Sequence, residues 1–237
     1  MSCCTTRGTD RFFSRSARHY ARKFRKHGLD APQQKLADGL AGLGIQGASL
    51  IEIGCGVGGL HLSLLKRGAS TTQGVELSEG MLMQAKALAE ELGVRERVTY
   101  LEGDFAEMCE DMALADAVIM DKVLCCYADP VQLIQRSAAK SRKFLAVSYP
   151  RKGILARTSF SMAQAVGKIL RWSFHPFYHA TDLLESSIGK EGFAEVHSST
   201  TPIWQVKIYR RGRSANAERD GKSSPVFASA PSGSIHF

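Results

Sequence analysis

The stretch Ser49-Leu50-Ile51-Glu52-Ile53-Gly54-Cys55-Gly56-Val57-Gly58-Gly59 decides how this chain is read. A short apolar strand runs into a turn rich in glycine, and Leu60, Leu62, Leu64 and Leu65 then open a helix. Such a turn brings backbone N–H groups to a helix N-terminus and removes the side chains that would keep a ligand away. Gly54, Gly56 and Gly59 fit G-x-G-x-x-G literally, a pattern that several ligand classes share.

Working outward, strands and helices alternate. Strands are expected at Thr71–Val75, Arg97–Leu101, Ala115–Met120 and Lys143–Tyr149, with helices after Gly59, after Ser78 to about Leu92, and from Asp129-Pro130 to about Lys140. Alternation at this spacing predicts a mostly parallel sheet covered on both faces. Near the end, Phe193–Ser199 and Ile203–Tyr209 flank Thr200-Thr201-Pro202, which predicts a hairpin and an antiparallel last strand. Ahead of the glycine turn, Phe12, Phe13, Ala17, Tyr20, Ala21 and Phe24 recur at helical spacing up to Gly28, and a second helix is expected from Pro32 to Leu43 with Asp30 as its cap. The expected organisation is a basic helical arm over 1–30, a domain over 31–211 (cofactor half 48–149, insertion 150–191), and a disordered tail over 212–237. The insertion carries an apolar series, Phe174-His175-Pro176-Phe177-Tyr178-His179, and a further helix over about 181–190. It suits either the wall of a substrate pocket or a helix packed on the sheet.

The hydrophobic fraction of 44% and charged fraction of 23% are those of a globular chain, and the formal net charge is +8. That charge sits at the ends: +6 over residues 1–30 and +3 over 210–237, against −1 between them. The basic arm is either a solvated helix face or an electrostatic guide for an anionic partner. No apolar run is long enough for a membrane span and no secretory h-region opens the chain, so a cytoplasmic location is the default expectation. Cys3, Cys4, Cys55, Cys109, Cys125 and Cys126 form no C-x-x-C, so reduced thiols and no metal site are expected.

Carboxylates recur at the strand ends. Glu52 lies two residues before Gly54, where dinucleotide enzymes usually carry an apolar residue. Glu76 ends the second strand, where it can accept from the hydroxyls of a ribose. Gly103-Asp104-Phe105 follows the third, offering an acceptor for an exocyclic amine of adenine and a ring to cover the base. Asp121 ends the fourth. In this order these residues resemble the motifs of the class I S-adenosylmethionine-dependent methyltransferases, over about residues 48–149 by motif and to 209 by strand order. More loosely, Tyr20…Phe24-Arg25-Lys26-His27-Gly28-Leu29, Gly54–Ala69 and Phe177-Tyr178-His179 ahead of Gly192-Phe193 resemble the magnesium-protoporphyrin O-methyltransferase group.

The resemblance implies a Rossmann-like, doubly wound, mostly parallel seven-stranded sheet with an antiparallel last strand, an N-terminal helical extension, and a helical insertion before the final hairpin. It also implies S-adenosylmethionine as cofactor. Glu52 would hold the loop and the cationic amino-acid end, while Gly54, Cys55 and Gly56, with Gly58 in the same block, would lie under the methionine moiety. Glu76 would hold the ribose, Leu77 and Met81 would border the adenine, Asp104 and Phe105 would meet its edge and face, and Asp121 would sit near the methionine amino group and the substrate. Plain structural roles stand beside these: turn glycines, helix caps for Glu76 and Asp104, core positions for Phe105 and Met81.

Methyl transfer from a sulfonium requires a nucleophile aligned with the methyl–sulfur bond and water kept out. A carboxylate acceptor needs no base, whereas a phenol or alcohol benefits from one. His179 and Tyr127 are the candidates, with His175 and Tyr149 as further ones and Arg151 as an anion clamp. Tyr20 and Arg25 are candidate lid residues. The Asn/Asp-Pro-Pro-Tyr motif of base amino-group methylation is absent; Asp121-Lys122-Val123-Leu124-Cys125-Cys126-Tyr127 occupies that region. The expected activity is methylation of a small hydrophobic molecule on a carboxylate or hydroxyl oxygen. The alternatives are an RNA methyltransferase with basic arms and a non-catalytic adenosylmethionine-binding protein. An NAD-dependent reductase is disfavoured by Glu52 and Gly103-Asp104-Phe105.

Overall fold

A computed structural model describes residues 6–169 and 176–212. Cys3, Cys4, His175 and the expected tail from 213 onward lie outside these residues. Strands β1 (Ser49–Ile53), β2 (Thr71–Glu76), β3 (Val98–Glu102), β4 (Ala115–Asp121), β5 (Ser141–Pro150), β6 (Phe193–Thr200) and β7 (Trp204–Arg211) form one sheet in the order β3-β2-β1-β4-β5-β7-β6. The first five run parallel, and β7 is antiparallel to both its neighbours, as the hairpin predicts. The last strand is not at the edge: it enters between β5 and β6.

Helices α1 (Thr6–His27), α2 (Ala31–Gly42), α3 (Gly59–Lys66), α4 (Glu79–Glu91), α5 (Phe105–Met108), α6 (Pro130–Lys140), α7 (Ile154–Ile169) and α8 (Thr181–Lys190) cover the sheet. One core joins Ala21, Leu36, Leu40, Leu60, Leu64 and Leu88 to Leu50, Ile119 and Ile208; the other joins Phe105, Leu133, Ile134, Leu184 and Ile188 to Ile51, Ile53 and Val118. Side chains alternate along a strand. Leu50 therefore faces α3 and Ile51 faces away, and Glu52 falls on the α3 side. The chain reverses direction across the sheet between β1 and β4, so the crevice lies at their carboxyl ends.

Local chemistry sets the helix starts. Asp30 and Gln33 form a reciprocal capping box at α2, Ser78 accepts from Met81 N at 3.3 Å, and Asp129 accepts from Gln132 N at 3.0 Å ahead of Pro130. Helix α1 begins before the apolar periodicity does. The four-residue α5, capped by Asp104, is too short to show a period in sequence. Among the described residues no helix is long and apolar enough to cross a membrane.

Helix α1 is clamped onto α4. Ser14 Oγ lies 2.8 Å from Ser78 Oγ and accepts from Gly80 N at 3.1 Å, and Arg25 pairs with Glu91 at 2.5 Å. A Cβ on Gly80 would stand 2.9 Å from Ser14 Cα, which is backbone and cannot swing aside. Alanine gains about 1 kcal/mol of helix propensity over glycine, but overpacking costs about 1–3 kcal/mol. Gly80→Ala is therefore expected to lower stability on chemical denaturation; a more stable variant would mean that α1 does not press on α4.

Candidate active site

At the carboxyl ends of β1, β2 and β4 lies a cavity of about 510 Å³. Its floor starts with two carboxylates that burial has taken out of water. Glu52 Oε2 accepts from the ring Nδ1 of His61 at 2.6 Å and from His61 N at 3.2 Å. No described donor reaches its Oε1. His61 Nε2 lies 3.1 Å from Tyr100 Oη, and the Tyr100 hydroxyl donates to Ala85 O at 3.1 Å. The His61 ring fills the space that a side chain at Gly58 would need: a Cβ there would approach it to 3.0 Å, and Gly58 has φ of 82°. Gly58 thus serves the Glu52–His61 pair beneath the loop and is not on the cavity wall.

Glu76 binds the loop from the other side. Its Oε2 accepts from Gly56 N at 2.8 Å and its Oε1 from Ser78 N at 3.0 Å. Gly56 has φ of 54°, and a Cβ on it would meet no protein atom within 4 Å, so the missing side chain leaves free room on the wall. Asp104 Oδ1 accepts from Ala106 N at 2.9 Å and from the Tyr127 hydroxyl at 2.5 Å, which leaves Oδ2 without a described donor. Asp121 Oδ1 accepts from Ser148 Oγ at 2.5 Å, and its Oδ2 lies 3.2 Å from Lys122 Nζ.

Burial pushes the Glu52, Glu76 and Asp121 carboxyls above their ordinary values, against the pull of His61, of the loop N–H groups and of Lys122 respectively. Burial also pushes up the Cys55 thiol, so it is a packing group and not a thiolate. The Tyr127 phenol is pushed up by burial and then by Asp104, which makes it a hydrogen-bond donor and a poor base.

The cavity is lined by Glu52, Gly54, Cys55, Gly56, Glu76, Leu77, Met81, Asp104, Phe105, Asp121 and Tyr127, all candidates from the sequence. His179 is one step behind: its Nε2 lies 2.8 Å from Tyr127 O, and its ring stacks on Phe177. Arg151 is exposed and reaches Thr201 O at 3.4 Å, outside the wall. Tyr149 donates to Glu185 in the core. Tyr20 lines the cavity, whereas Arg25 is spent on Glu91. No described residue of 150–191 lines the cavity.

Sequence reading missed several wall residues. Lys122 follows Asp121 with φ of 58°, the single positive φ among described non-glycine residues. Its ammonium lies 2.5 Å from Asp30 Oδ2 and 5.9 Å from the Trp204 ring centre. Burial opposes that charge, but Asp121 and Asp30 outweigh it and hold the ammonium above its ordinary value. Phe13 and Phe24 of α1 and Trp204 of β7 complete the wall. Nothing in their sequence spacing ties them to β1, since tertiary packing alone brings them there.

Residues 50–143 match the family profile described as a methyltransferase domain. The chain carries a methyltransferase domain, with the S-adenosylmethionine-dependent activity that this domain implies. Solved structures share its fold. The magnesium protoporphyrin IX methyltransferase of Synechocystis PCC 6803 with bound S-adenosylhomocysteine aligns at TM-score 0.67 and 21% identity, over 86% of this chain and 97% of that one. The same protein with S-adenosylmethionine aligns at 0.63 and 20%, over 87% and 97%. An O-methyltransferase family protein of Burkholderia thailandensis aligns at 0.61 and 17%, over 75% and 55%. No curated protein matches the chain by sequence.

The methyltransferase uses S-adenosylmethionine, and the cavity fits it. Glu52 Oε1 and Asp104 Oδ2 are open acceptors, and Gly56 leaves the loop clear. Neighbouring positive charge lowers carboxyl pKa values. Binding a ligand that carries an ammonium and a sulfonium is therefore expected to release protons above the ordinary carboxyl values of 3.8 and 4.5. Because the raised values favour the protonated folded state, the unliganded protein is expected to lose stability as pH rises through them, and the cofactor to offset that loss. Calorimetric titration in buffers of different ionisation enthalpy measures the release; identical heats in all buffers would contradict it.

Proposed function

We propose that the methyltransferase transfers its methyl group to a carboxylate or hydroxyl oxygen of a small hydrophobic molecule. The observation that carries this reading is the aromatic lining: Phe13, Tyr20 and Phe24 of α1 line the cavity together with Trp204 and Tyr127. A cavity with an aromatic, mainly apolar lining suits a compact acceptor, whereas a nucleic acid needs an open basic groove. The fold shared with a magnesium protoporphyrin IX methyltransferase supports an acceptor of porphyrin or aromatic-acid type.

The cofactor supplies an electrophilic methyl group on sulfur. The chain's own residues do the rest. Glu52 and Asp121 accept the cationic end, Glu76 accepts from the ribose, and Asp104 takes the adenine edge with Phe105, Leu77 and Met81 around the ring. The loop of Gly54, Cys55 and Gly56 lies under the methionine. Tyr127 holds Asp104 in place and offers its ring to the acceptor, while His179 fixes the Tyr127 backbone. Lys122 beside Trp204 orients an acidic handle, and Arg151 meets one that extends past the rim. An ionised carboxylate acceptor needs no base, which suits a wall whose Tyr127 is a donor.

Incubation with labelled S-adenosylmethionine and a metabolite extract tests the reading. Label is expected in small organic-extractable product and to resist RNA digestion; label lost on digestion would overturn it. Glu76→Ala is expected to weaken cofactor binding by about 1–3 kcal/mol, the scale of losing charge-assisted hydrogen bonds. Unchanged affinity in a folded variant would place the ribose elsewhere. Arg151→Ala and His179→Ala are expected to lower kcat with cofactor affinity retained; wild-type turnover in both would remove them from the acceptor side.

A further inference from the structure

Helix α7 is turned inside out. At about 100° per residue, Ile154, Leu155, Met162, Val166 and Ile169 share one arc of about 120°, and that arc faces solvent. Ile154 is 83% exposed, Met162 66% and Ile169 78%. The opposite side, which faces the protein, presents Ala156, Gly167 and the half-buried Phe160. Half of the exposed large apolar side chains among the described residues lie on this one helix. A contiguous patch of this kind marks an interaction surface.

We propose that the outward face of α7 docks on an anionic lipid surface, with the helix lying in the membrane plane. Charge selects the partner. Residues 151–180 hold five Lys or Arg and no Asp or Glu. Arg157 is exposed next to the apolar arc, Arg151 is exposed just ahead of the helix, and Lys152 pairs with Asp182 of α8. An apolar face flanked by basic residues is the signature of an interfacial helix, and anionic headgroups attract such a segment. A second copy would bring two positive stretches together, which the same charge opposes. At 16 residues α7 cannot span a bilayer. The inner side of α7 touches a residue of the cavity wall: Phe160 packs against the Trp204 ring at 6.1 Å, and Trp204 lines the cavity. This docking does not depend on which acceptor is methylated.

Flotation of the full chain with vesicles tests it. The protein is expected to float with phosphatidylcholine–phosphatidylserine vesicles, and far less with phosphatidylcholine alone. Met162→Glu and Val166→Glu are expected to weaken the anionic-vesicle binding at least tenfold while leaving S-adenosylmethionine affinity and melting temperature unchanged. Met83→Glu, an equally exposed apolar position on α4, is expected to bind as the wild type. No flotation, flotation unaffected by the α7 variants, or an equal loss in Met83→Glu would each overturn the proposal. So would a dimer in sedimentation that the α7 variants dissolve without any vesicle binding, because that would make a second copy the occupant.

Discussion

Glu52 is a carboxylate held out of water on the α3 side of β1, and the glycine loop is built around satisfying it. A buried charge without donors is costly, so α3 must present both the backbone and the ring of His61 to one oxygen. That demand sets where α3 begins, why Gly58 has no side chain, and why Tyr100 reaches across from β3. It also leaves the second oxygen uncommitted on the cavity wall. Glu76 repeats the arrangement from β2, taking one N–H from the loop and one from the start of α4. Glu76 thus holds the loop, and Glu52 the helix that follows it, before any ligand arrives, which is preorganisation in a literal sense.

The N-terminal helix supplies part of the wall of this crevice. Its small residues, Ser14, Ala17 and Ala21, face the domain, and its aromatic residues Phe13, Tyr20 and Phe24 reach the opening. Arg11, Arg15, Arg18, Arg22 and Arg25 of α1 are exposed, with Arg25 joined to Glu91. The basic character of the arm therefore coexists with an aromatic, cavity-lining side on the same helix, because helical periodicity separates the two faces.

What could be read from the sequence was local or tied to strand ends. The alternation of short strands and helices, the hairpin, and caps such as Asp30 and Ser78 each follow from nearby residues. Glu52, Glu76, Asp104 and Asp121 were legible because strand order delivers strand ends to one edge. The partners of these residues were not. His61 meets Glu52 only once α3 packs on β1, and Lys122 meets Asp30 across 92 positions of chain. The inverted face of α7 escaped for a related reason: its apolar periodicity is that of any packed helix, and only the fold shows that the small side faces inward.

The position of β7 has a consequence for synthesis. Because the last strand enters between β5 and β6, β5 presents an unpaired ladder until residues 204–211 have emerged from the ribosome. An open edge of this kind is a template for mispairing with other chains. The nascent domain can assemble β1 to β5 as it is made, but β7, and with it the cavity-lining Trp204, follows only after β6. The interval between β5 and β7 is thus the one in which that open edge needs cover.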